Sequence, residues 1–257
     1  MAESIKFDRA VDFYDQTRGF PAGIETQAAE IIARAGGFSA ASRTLEIGVG
    51  TGRIALPMSA RVGTIIGVDL SRPMMDKLRE KQRDERVWLA EADASRLPFG
   101  AGTFDGAVGV HVFHLIPTWR EVLAELARVL KPGAPLVVAR NADRTDSIGD
   151  ELRRRGMPGR LPNVGIQEEE YDTFLVDAGW RRKGEPEEIS WEEAFRPSYL
   201  LERVRSRSNS GTWRMTDDEL AHYVEAVKGI LAERYPDLDA EYMRAHRFKA
   251  EAFLPAE

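Results

Sequence analysis

The chain alternates between short apolar runs and segments with helical periodicity. Four of the runs are RTLEIGVG, TIIGVDL, VWLAEAD and FDGAVGVHV, and a fifth, APLVVAR, follows the clearest helical segment. Strands that are apolar along their whole length have both faces buried, and strands joined by helices run parallel. The alternation therefore predicts an α/β fold with a doubly wound, mostly parallel sheet.

Two of the helical segments carry their own start and stop signals. Over residues 119–130 the apolar side chains fall on one face, and the segment ends before Pro132 and Gly133. A second helix is expected to begin after Ser71, a suitable N-cap residue, with Pro73 in its first turn. Both helices are predicted to cover the sheet.

The other segments divide the chain into a sheet core and two additions. Residues 1–40 hold FDRAVDFYDQTRGFP and GIETQAAEIIARAGG, which predict two helices that form an N-terminal lid. Residues 41–190 and 244–257 supply the core, with later strands near 182–190 and at RFKAEAFLP. Residues 191–243 contain helical segments without a place in the alternation, so they are assigned to a C-terminal helical cap insertion. Within it, RVRSRSNSGTW is typical of a polar loop.

Composition excludes several classes of function. The 257 residues include no cysteine and no His/Asp/Glu spacing typical of zinc sites, so no disulfide and no metal is expected. A net charge of −6 argues against a nucleic-acid partner. The apolar stretches are too short to cross a membrane, and MAESIKFDRA lacks the apolar segment of a secretory signal. We therefore expect a cytoplasmic monomer or homodimer that acts on a small molecule.

A glycine-rich turn follows the first predicted strand and precedes a helix. Gly48, Gly50 and Gly52 alternate along LEIGVGTGR, where they permit tight backbone geometry and close approach of a ligand to the main chain. Asp69 ends the next strand, at the spacing from which a carboxylate can accept hydrogen bonds from ribose hydroxyls. Together these features indicate an adenosine-containing cofactor. The glycine pattern is GxGxG after an acid, Glu46, whereas dinucleotide sites have GxGxxG.

In this respect the chain resembles the class I methyltransferase family, which uses S-adenosylmethionine. The first family motif matches residues 46–52, the second matches VDLSRPMM with Asp69, and the third matches EADASRLPF. TFDGAVGVHVFHLI and ELARVLKPGAPLVV resemble the strands and helix that follow, so the likeness covers about residues 11–140. It implies a Rossmann-like sheet of seven strands, and it is nearest to methyltransferases of the ubiquinone and menaquinone biosynthesis type.

The resemblance also assigns residues to the cofactor. Asp93 and Ala94 occupy the positions that bind the adenine amino group and ring nitrogen in the family. Tyr14 and Arg18, in FYDQTRG, resemble a lid element that contacts the methionine half. The remaining expected cofactor residues are Glu46, Gly48, Gly50, Gly52, Asp69, Leu70 and Val110. Two alternatives stay open: the lid segment as an ordinary amphipathic helix with an exposed arginine, and Glu46 as a residue that orients the turn rather than a ligand.

Two of the four histidines cluster after the fourth predicted strand. His111 and His114 lie where ligands bind in an open parallel sheet, beyond the carboxyl ends of the strands. Either imidazole can serve as a catalytic base near neutral pH, and a structural role is the alternative for each. His222 and His246 lack partners in the sequence pattern and are interpreted as structural.

The resemblance implies transfer of a methyl group from S-adenosylmethionine to a small-molecule acceptor by direct in-line displacement. A nicotinamide-dependent oxidoreductase is one alternative, although the glycine spacing is wrong for it and EADASRLPF has no place in it. A protein that holds S-adenosylmethionine without catalysis, or that binds RNA, is the other. A turnover assay distinguishes an enzyme from a protein that only holds S-adenosylmethionine. Salt-dependent binding of RNA would indicate an RNA-binding protein.

Overall fold

A computed structural model describes residues 4–142, 148–157, 164–167, 170, 173–208 and 210–256 of the chain. It divides into two compact units. Unit 1 comprises Met1–Arg140, Val164–Ile189 and Phe248–Glu257, and unit 2 comprises Asn141–Asn163 and Ser190–Arg247. Arg18, within a helix, is described only by its backbone.

The described residues form one seven-stranded sheet. The strands are β1 (Arg43–Ile47), β2 (Thr64–Asp69), β3 (Val87–Glu91), β4 (Gly106–Val110), β5 (Leu136–Asn141), β6 (Arg181–Phe195) and β7 (Tyr242–Leu254). Their order is β3-β2-β1-β4-β5-β7-β6, and the pairs among the first five strands are parallel. The expected doubly wound, mostly parallel sheet is confirmed. The strand order reverses between β1 and β4, and such a switch point leaves a crevice at the carboxyl ends of the strands.

Nine helices are described, in unit 1 and in unit 2. The described helices are α1 (Tyr14–Arg18), α2 (Ile24–Gly36), α3 (Ala55–Met58), α4 (Arg72–Lys81), α5 (Trp119–Val129), α6 (Ile148–Arg154), α7 (Phe174–Asp177), α8 (Pro197–Arg205) and α9 (Asp217–Arg234). The Ser71 hydroxyl caps α4 by accepting the Met74 N–H at 3.3 Å, as the sequence predicts. α5 buries Val122, Leu126 and Val129 in the core of unit 1.

Two parts of the predicted pattern differ from the structure. The predicted first N-terminal helix is broken into a 3-10 turn at Asp8–Ala10 and the short α1, which is followed by Gly19. β6 and β7 are longer than predicted and continue into residues 191–195 and 242–246. These strand extensions mix charged, aromatic and small apolar residues and are largely solvent-facing, so they lack the continuous apolar run by which the other strands were recognised.

Unit 2 has a hydrophobic cluster of its own, contributed by α6, α8 and α9. Leu152, Leu201, Val227 and Ile230 are among its buried members. α9 begins with a capping box, in which the Thr216 side chain and the Glu219 side chain satisfy each other's backbone N–H groups. None of the helices in the described part of the chain is long and apolar enough to span a bilayer.

Candidate functional site

A cleft of about 690 Å³ opens in unit 1 where the strand order reverses. That volume includes the space at the mouth of the cleft that is open to solvent. Many of the residues predicted from the sequence to hold a ligand line it: Tyr14, Gly48, Gly50, Asp69, Leu70, Asp93, Ala94, Val110 and His111. The chain thus gathers side chains from the N-terminal segment and from the ends of β2, β3 and β4 around one cavity.

The three glycines of the turn after β1 serve different purposes. All three have left-handed backbone angles, with φ of +68° at Gly48, +53° at Gly50 and +78° at Gly52, a region that strains other residues. Gly48 and Gly50 line the cleft, so a ligand can approach their backbone. Gly52 is not among the lining residues, and a Cβ there would lie 2.5 Å from Cγ of the buried Leu78. Its role is to let the turn pack against α4.

Asp69 connects this turn to the end of β2. Its Oδ2 accepts the Gly50 N–H at 2.8 Å, and its Oδ1 accepts the Ser71 N–H at 2.8 Å. Burial raises the pKa of Asp69, and the backbone hydrogen bonds from Ser71 and Gly50 oppose that rise. A carboxylate has about four acceptor positions, so this one retains capacity for hydroxyl donors from a ligand in the cleft.

Glu46 lies two residues before the turn and is only 3% exposed. Its Oε2 is buried and has no hydrogen-bond partner within the described residues. Burial raises the pKa of Glu46 to about 8, while the positive charge of Arg53 lowers it and the negative charge of Asp69 raises it further. Glu46 does not line the cleft. It is an unsatisfied acceptor beneath the turn, and such groups are rare in folded proteins.

The wall after β3 is formed by the two residues that the sequence assigned to adenine. Asp93 is exposed, and its Oδ1 accepts both the N–H and the hydroxyl of Ser95 at 2.8 Å. Ala94 is buried beside it. A hydrogen bond joins the carboxyl ends of β2 and β3, in which the Ala92 N–H donates to the Asp69 carbonyl at 3.1 Å. A planar ligand group at Asp93 would therefore lie on the same wall as a group held by Asp69.

The N-terminal segment closes one side of the cleft. Tyr14 of α1 lines it, and its ring meets the Phe7 ring edge-on at 5.7 Å. The Asp15 carboxylate holds α1 in place, since it accepts the Thr51 hydroxyl of the glycine turn and the Lys81 ammonium, the latter at 2.8 Å. The prediction for the side chain of Arg18 lies outside the described residues.

The two candidate histidines have different surroundings. His111 directly follows β4, lines the cleft, and has a left-handed φ of +50°. A non-glycine residue in that region stores strain, which often marks a functional site. Its ring lies 6.0 Å from the ring of Phe248. His114 is in a 3-10 turn outside the lining set, and its carbonyl accepts the Gly165 N–H at 3.1 Å.

The other lining residues were not assigned to the site from the sequence. They are Ser4, Ile5, Phe7, Val68, Met74, Ala92, Val112, Leu115 and Ile116. Those after β4 could have been anticipated from their place at the switch point. In the part of the chain that the structure describes, no group of three or more His, Asp or Glu is arranged to hold a metal ion.

Comparisons with known proteins identify relatives of this chain. A family model described as a methyltransferase domain matches residues 45–138. A ubiquinone/menaquinone biosynthesis C-methyltransferase from Syntrophotalea carbinolica is 30% identical over 62% of this chain and 69% of its own length. A phosphatidylethanolamine N-methyltransferase from Cereibacter sphaeroides is 33% identical over 46% of this chain, which spans 56% of that relative.

The fold has solved counterparts as well. A Haemonchus contortus phosphoethanolamine N-methyltransferase, solved with phosphomonomethylethanolamine and S-adenosylhomocysteine, matches with a TM-score of 0.56 and 21% identity. The match covers 98% of this chain and 59% of that one. At this level of identity the likeness concerns the fold alone.

Proposed function

This chain belongs to the class I S-adenosylmethionine-dependent methyltransferases, and from that premise we propose that it transfers the cofactor's methyl group to a small-molecule acceptor. The observation that carries the proposal is the joining of the glycine turn, Asp69 and Asp93 around one cleft at the sheet's switch point. A nicotinamide-dependent enzyme gains no support from the family match over residues 45–138.

The residues of the cleft fit the parts of S-adenosylmethionine. In this proposal, Asp69 accepts the ribose hydroxyls, and Asp93 with Ala94 holds the adenine, while the backbone of Gly48 and Gly50 supports the methionine half. Leu70 and Val110 pack against the cofactor, and Gly52 shapes the turn. When bound, the cofactor supplies an activated methyl group that the acceptor's nucleophile takes in one in-line displacement.

Polar groups near the turn offer partners for the amino and carboxylate groups of the ligand. The buried, unsatisfied Oε2 of Glu46 offers an acceptor for the ligand's amino group, reached directly or through a water molecule. Tyr14 and Arg18 belong to the lid, where an arginine is suited to the ligand's carboxylate. The bond between Asp15 and Thr51 couples the lid to the turn, so α1 helps to exclude water from the reacting atoms.

His111 is the better placed of the two histidines to act on an acceptor. In the His111→Asn variant, which tolerates a left-handed φ but has no imidazole, we expect turnover to fall at least about tenfold. Binding of S-adenosylhomocysteine should stay within a factor of about two, because the backbone at this position is preserved. Rates of S-adenosylhomocysteine release and calorimetric titration give the two quantities.

His114→Asn is the matched control for that experiment. Because His114 does not line the cleft, its replacement should leave turnover within about threefold of the unmodified chain. A larger loss in His114→Asn than in His111→Asn would reverse the assignment of the catalytic base, and normal turnover in both would return them to structural roles.

The acceptor class follows only from the relatives. One relative is named as a ubiquinone/menaquinone biosynthesis C-methyltransferase, and another is named as a phosphatidylethanolamine N-methyltransferase. We propose a small-molecule acceptor of one of these two kinds, a quinol ring or a primary amine. Incubation with S-adenosylmethionine and either a demethylmenaquinol analogue or ethanolamine phosphate distinguishes them by the methylated product. A cytoplasmic monomer or homodimer is the arrangement we propose for this reaction.

A further inference from the structure

A row of packed side chains runs from the glycine turn to His111. The Arg53 guanidinium carbon lies 4.7 Å from the centre of the Phe20 ring. The Phe20 ring meets the Phe248 ring edge-on, with ring centres 5.3 Å apart and 85° between the planes. The Phe248 ring in turn lies 6.0 Å from the His111 imidazole, at 53°. Both ring pairs have the separation of interacting aromatic groups, so each side chain of the row is packed against the next.

The row is assembled from distant parts of the chain within unit 1. Arg53 follows the last glycine of the turn after β1, and Phe20 lies between α1 and α2. Phe248 comes from β7, and His111 directly follows β4. The sheet order β4-β5-β7 places the strand of Phe248 two positions from the strand that precedes His111. The surroundings of the imidazole are therefore fixed by the fold of unit 1 rather than by the local sequence.

His111 and Phe248 lie at different depths. His111 is half-buried and lines the cleft, whereas Phe248 is fully buried and does not line it. The contact between the two rings thus lies behind the cleft wall. The backbone of His111 has a φ of +50°, and its N–H donates to the Ala139 carbonyl at 3.2 Å. A strained backbone of this kind persists only where its surroundings fix it, and the buried Phe248 ring is one such fixed surface.

From this geometry we propose that Phe248 is a positioning residue for His111 and that Phe20 supports the Phe248 ring. A catalytic group acts only within a narrow range of positions, and a displacement of about 1 Å can cost about 100-fold in rate. A flat, buried ring against the imidazole restricts the orientations that His111 can adopt. The inference rests on the proposed function, in which His111 acts on the acceptor, and it goes beyond that function by naming the residues that hold the imidazole.

The order parameter of the imidazole Cε1–H bond of His111 tests the proposal without any acceptor. The chain has four histidines, and the signal that disappears in His111→Asn is that of His111. In Phe248→Leu we expect the order parameter to fall toward that of a mobile side chain, because a smaller and non-planar group replaces the ring. Phe20→Leu should lower it less. Because Phe20 is only partly buried, this second variant retains the fold more readily than the first.

Phe253→Leu is the matched control on the same strand. Phe253 is 4% exposed and packs in the core of unit 1, with the Arg182 guanidinium carbon 5.5 Å from its ring centre. Both leucine variants in β7 remove the same atoms from buried positions, so they should lower the midpoint of thermal unfolding by similar amounts. Only Phe248→Leu should mobilise His111. Equal order parameters for His111 in these two variants would make Phe248 an ordinary core residue and overturn the proposal.

Kinetics gives a second readout, with the demethylmenaquinol analogue or ethanolamine phosphate as acceptor. The kcat of Phe248→Leu should fall about tenfold, and that of Phe253→Leu should stay within about twofold. The affinity of both variants for S-adenosylhomocysteine should stay within about twofold of the unmodified chain. Unchanged kcat in a Phe248→Leu variant with a mobile His111 would overturn the positioning role. Absence of S-adenosylhomocysteine binding by the unmodified chain contradicts the proposed function instead, and the order parameters still decide whether Phe248 holds His111.

Discussion

The free energy of unfolding of the unmodified chain is expected to fall by about 5 kcal/mol, relative to that of Glu46→Gln, between pH 4.5 and pH 8. Burial raises the pKa of Glu46 from 4.5 to about 8 in the folded chain. In the unfolded chain the carboxyl group therefore loses its proton near pH 4.5, whereas the folded chain retains it. Above pH 8 the folded chain also ionises, and the loss is complete. Urea unfolding at a series of pH values measures the difference.

The comparison needs a control for general effects of charge. Glu80→Gln removes an exposed carboxylate that pairs with Lys77 on α4, so its difference from the unmodified chain should vary by less than about 1 kcal/mol over the same range. If the difference in the free energy of unfolding between the unmodified chain and Glu46→Gln were equally independent of pH, Glu46 would be ionised in the folded chain at neutral pH. The view of an unsatisfied, neutral carboxyl group beneath the turn would then be wrong.

The Asp69→Ala variant is expected to bind S-adenosylhomocysteine about 10- to 150-fold more weakly, the equivalent of about 1.5 to 3 kcal/mol for lost hydrogen bonds to a charged group. Part of the effect is direct, because the carboxylate lies on the cleft wall with acceptor capacity to spare. The rest arises because Asp69 also holds the Gly50 N–H and thereby the shape of the turn. Calorimetric titration gives the affinity, and circular dichroism verifies the fold.

Asp76→Ala is the matched control for Asp69→Ala. Asp76 lies on α4, and its carboxylate makes a surface ion pair with Arg79 at 2.6 Å, so its loss should leave the affinity within about twofold. Asp69→Asn should fall between the two, since the amide keeps one acceptor oxygen but not the charge. Unchanged affinity in a folded Asp69→Ala variant would remove Asp69 from the cofactor site.

The central part of the fold could be predicted because each signal there is local and strong. Apolar runs bounded by turn residues gave β1 to β5, and Ser71 with Pro73 gave the start of α4. The left-handed angles at Gly48, Gly50 and Gly52 are conformations that favour glycine, so the turn could be located from the alternating glycines after the first predicted strand. Its position at the switch point depends on the strand order, which the structure supplies.

Other features depend on contacts between distant residues and carried no local signal. The Asp15 carboxylate holds α1 against Thr51 and Lys81, but an aspartate in a polar helix looks the same whether or not it has partners. Spacing alone could not distinguish His111 from His114, because the difference lies in a backbone angle and in the 3-10 turn that follows β4.

The polar extensions of β6 and β7 also could not be predicted from the sequence. Trp191 and Arg244 lie on extensions of β6 and β7 whose charged residues resemble loop or helix surface in the sequence. Arg203 belongs to a run that is typical of a polar loop, yet it lies in α8 with its Nε buried. Burial of a charged group depends on packing between residues that are distant in the sequence, so it could not be predicted from local sequence.

Calorimetric titration of the purified chain with S-adenosylhomocysteine, with NAD as the control ligand, tests the central claim most directly. The cleft formed by the glycine turn, Asp69 and Asp93 predicts micromolar or tighter binding of S-adenosylhomocysteine and no measurable binding of NAD. Binding of NAD instead, or of neither ligand, would contradict the proposed function and leave only the fold.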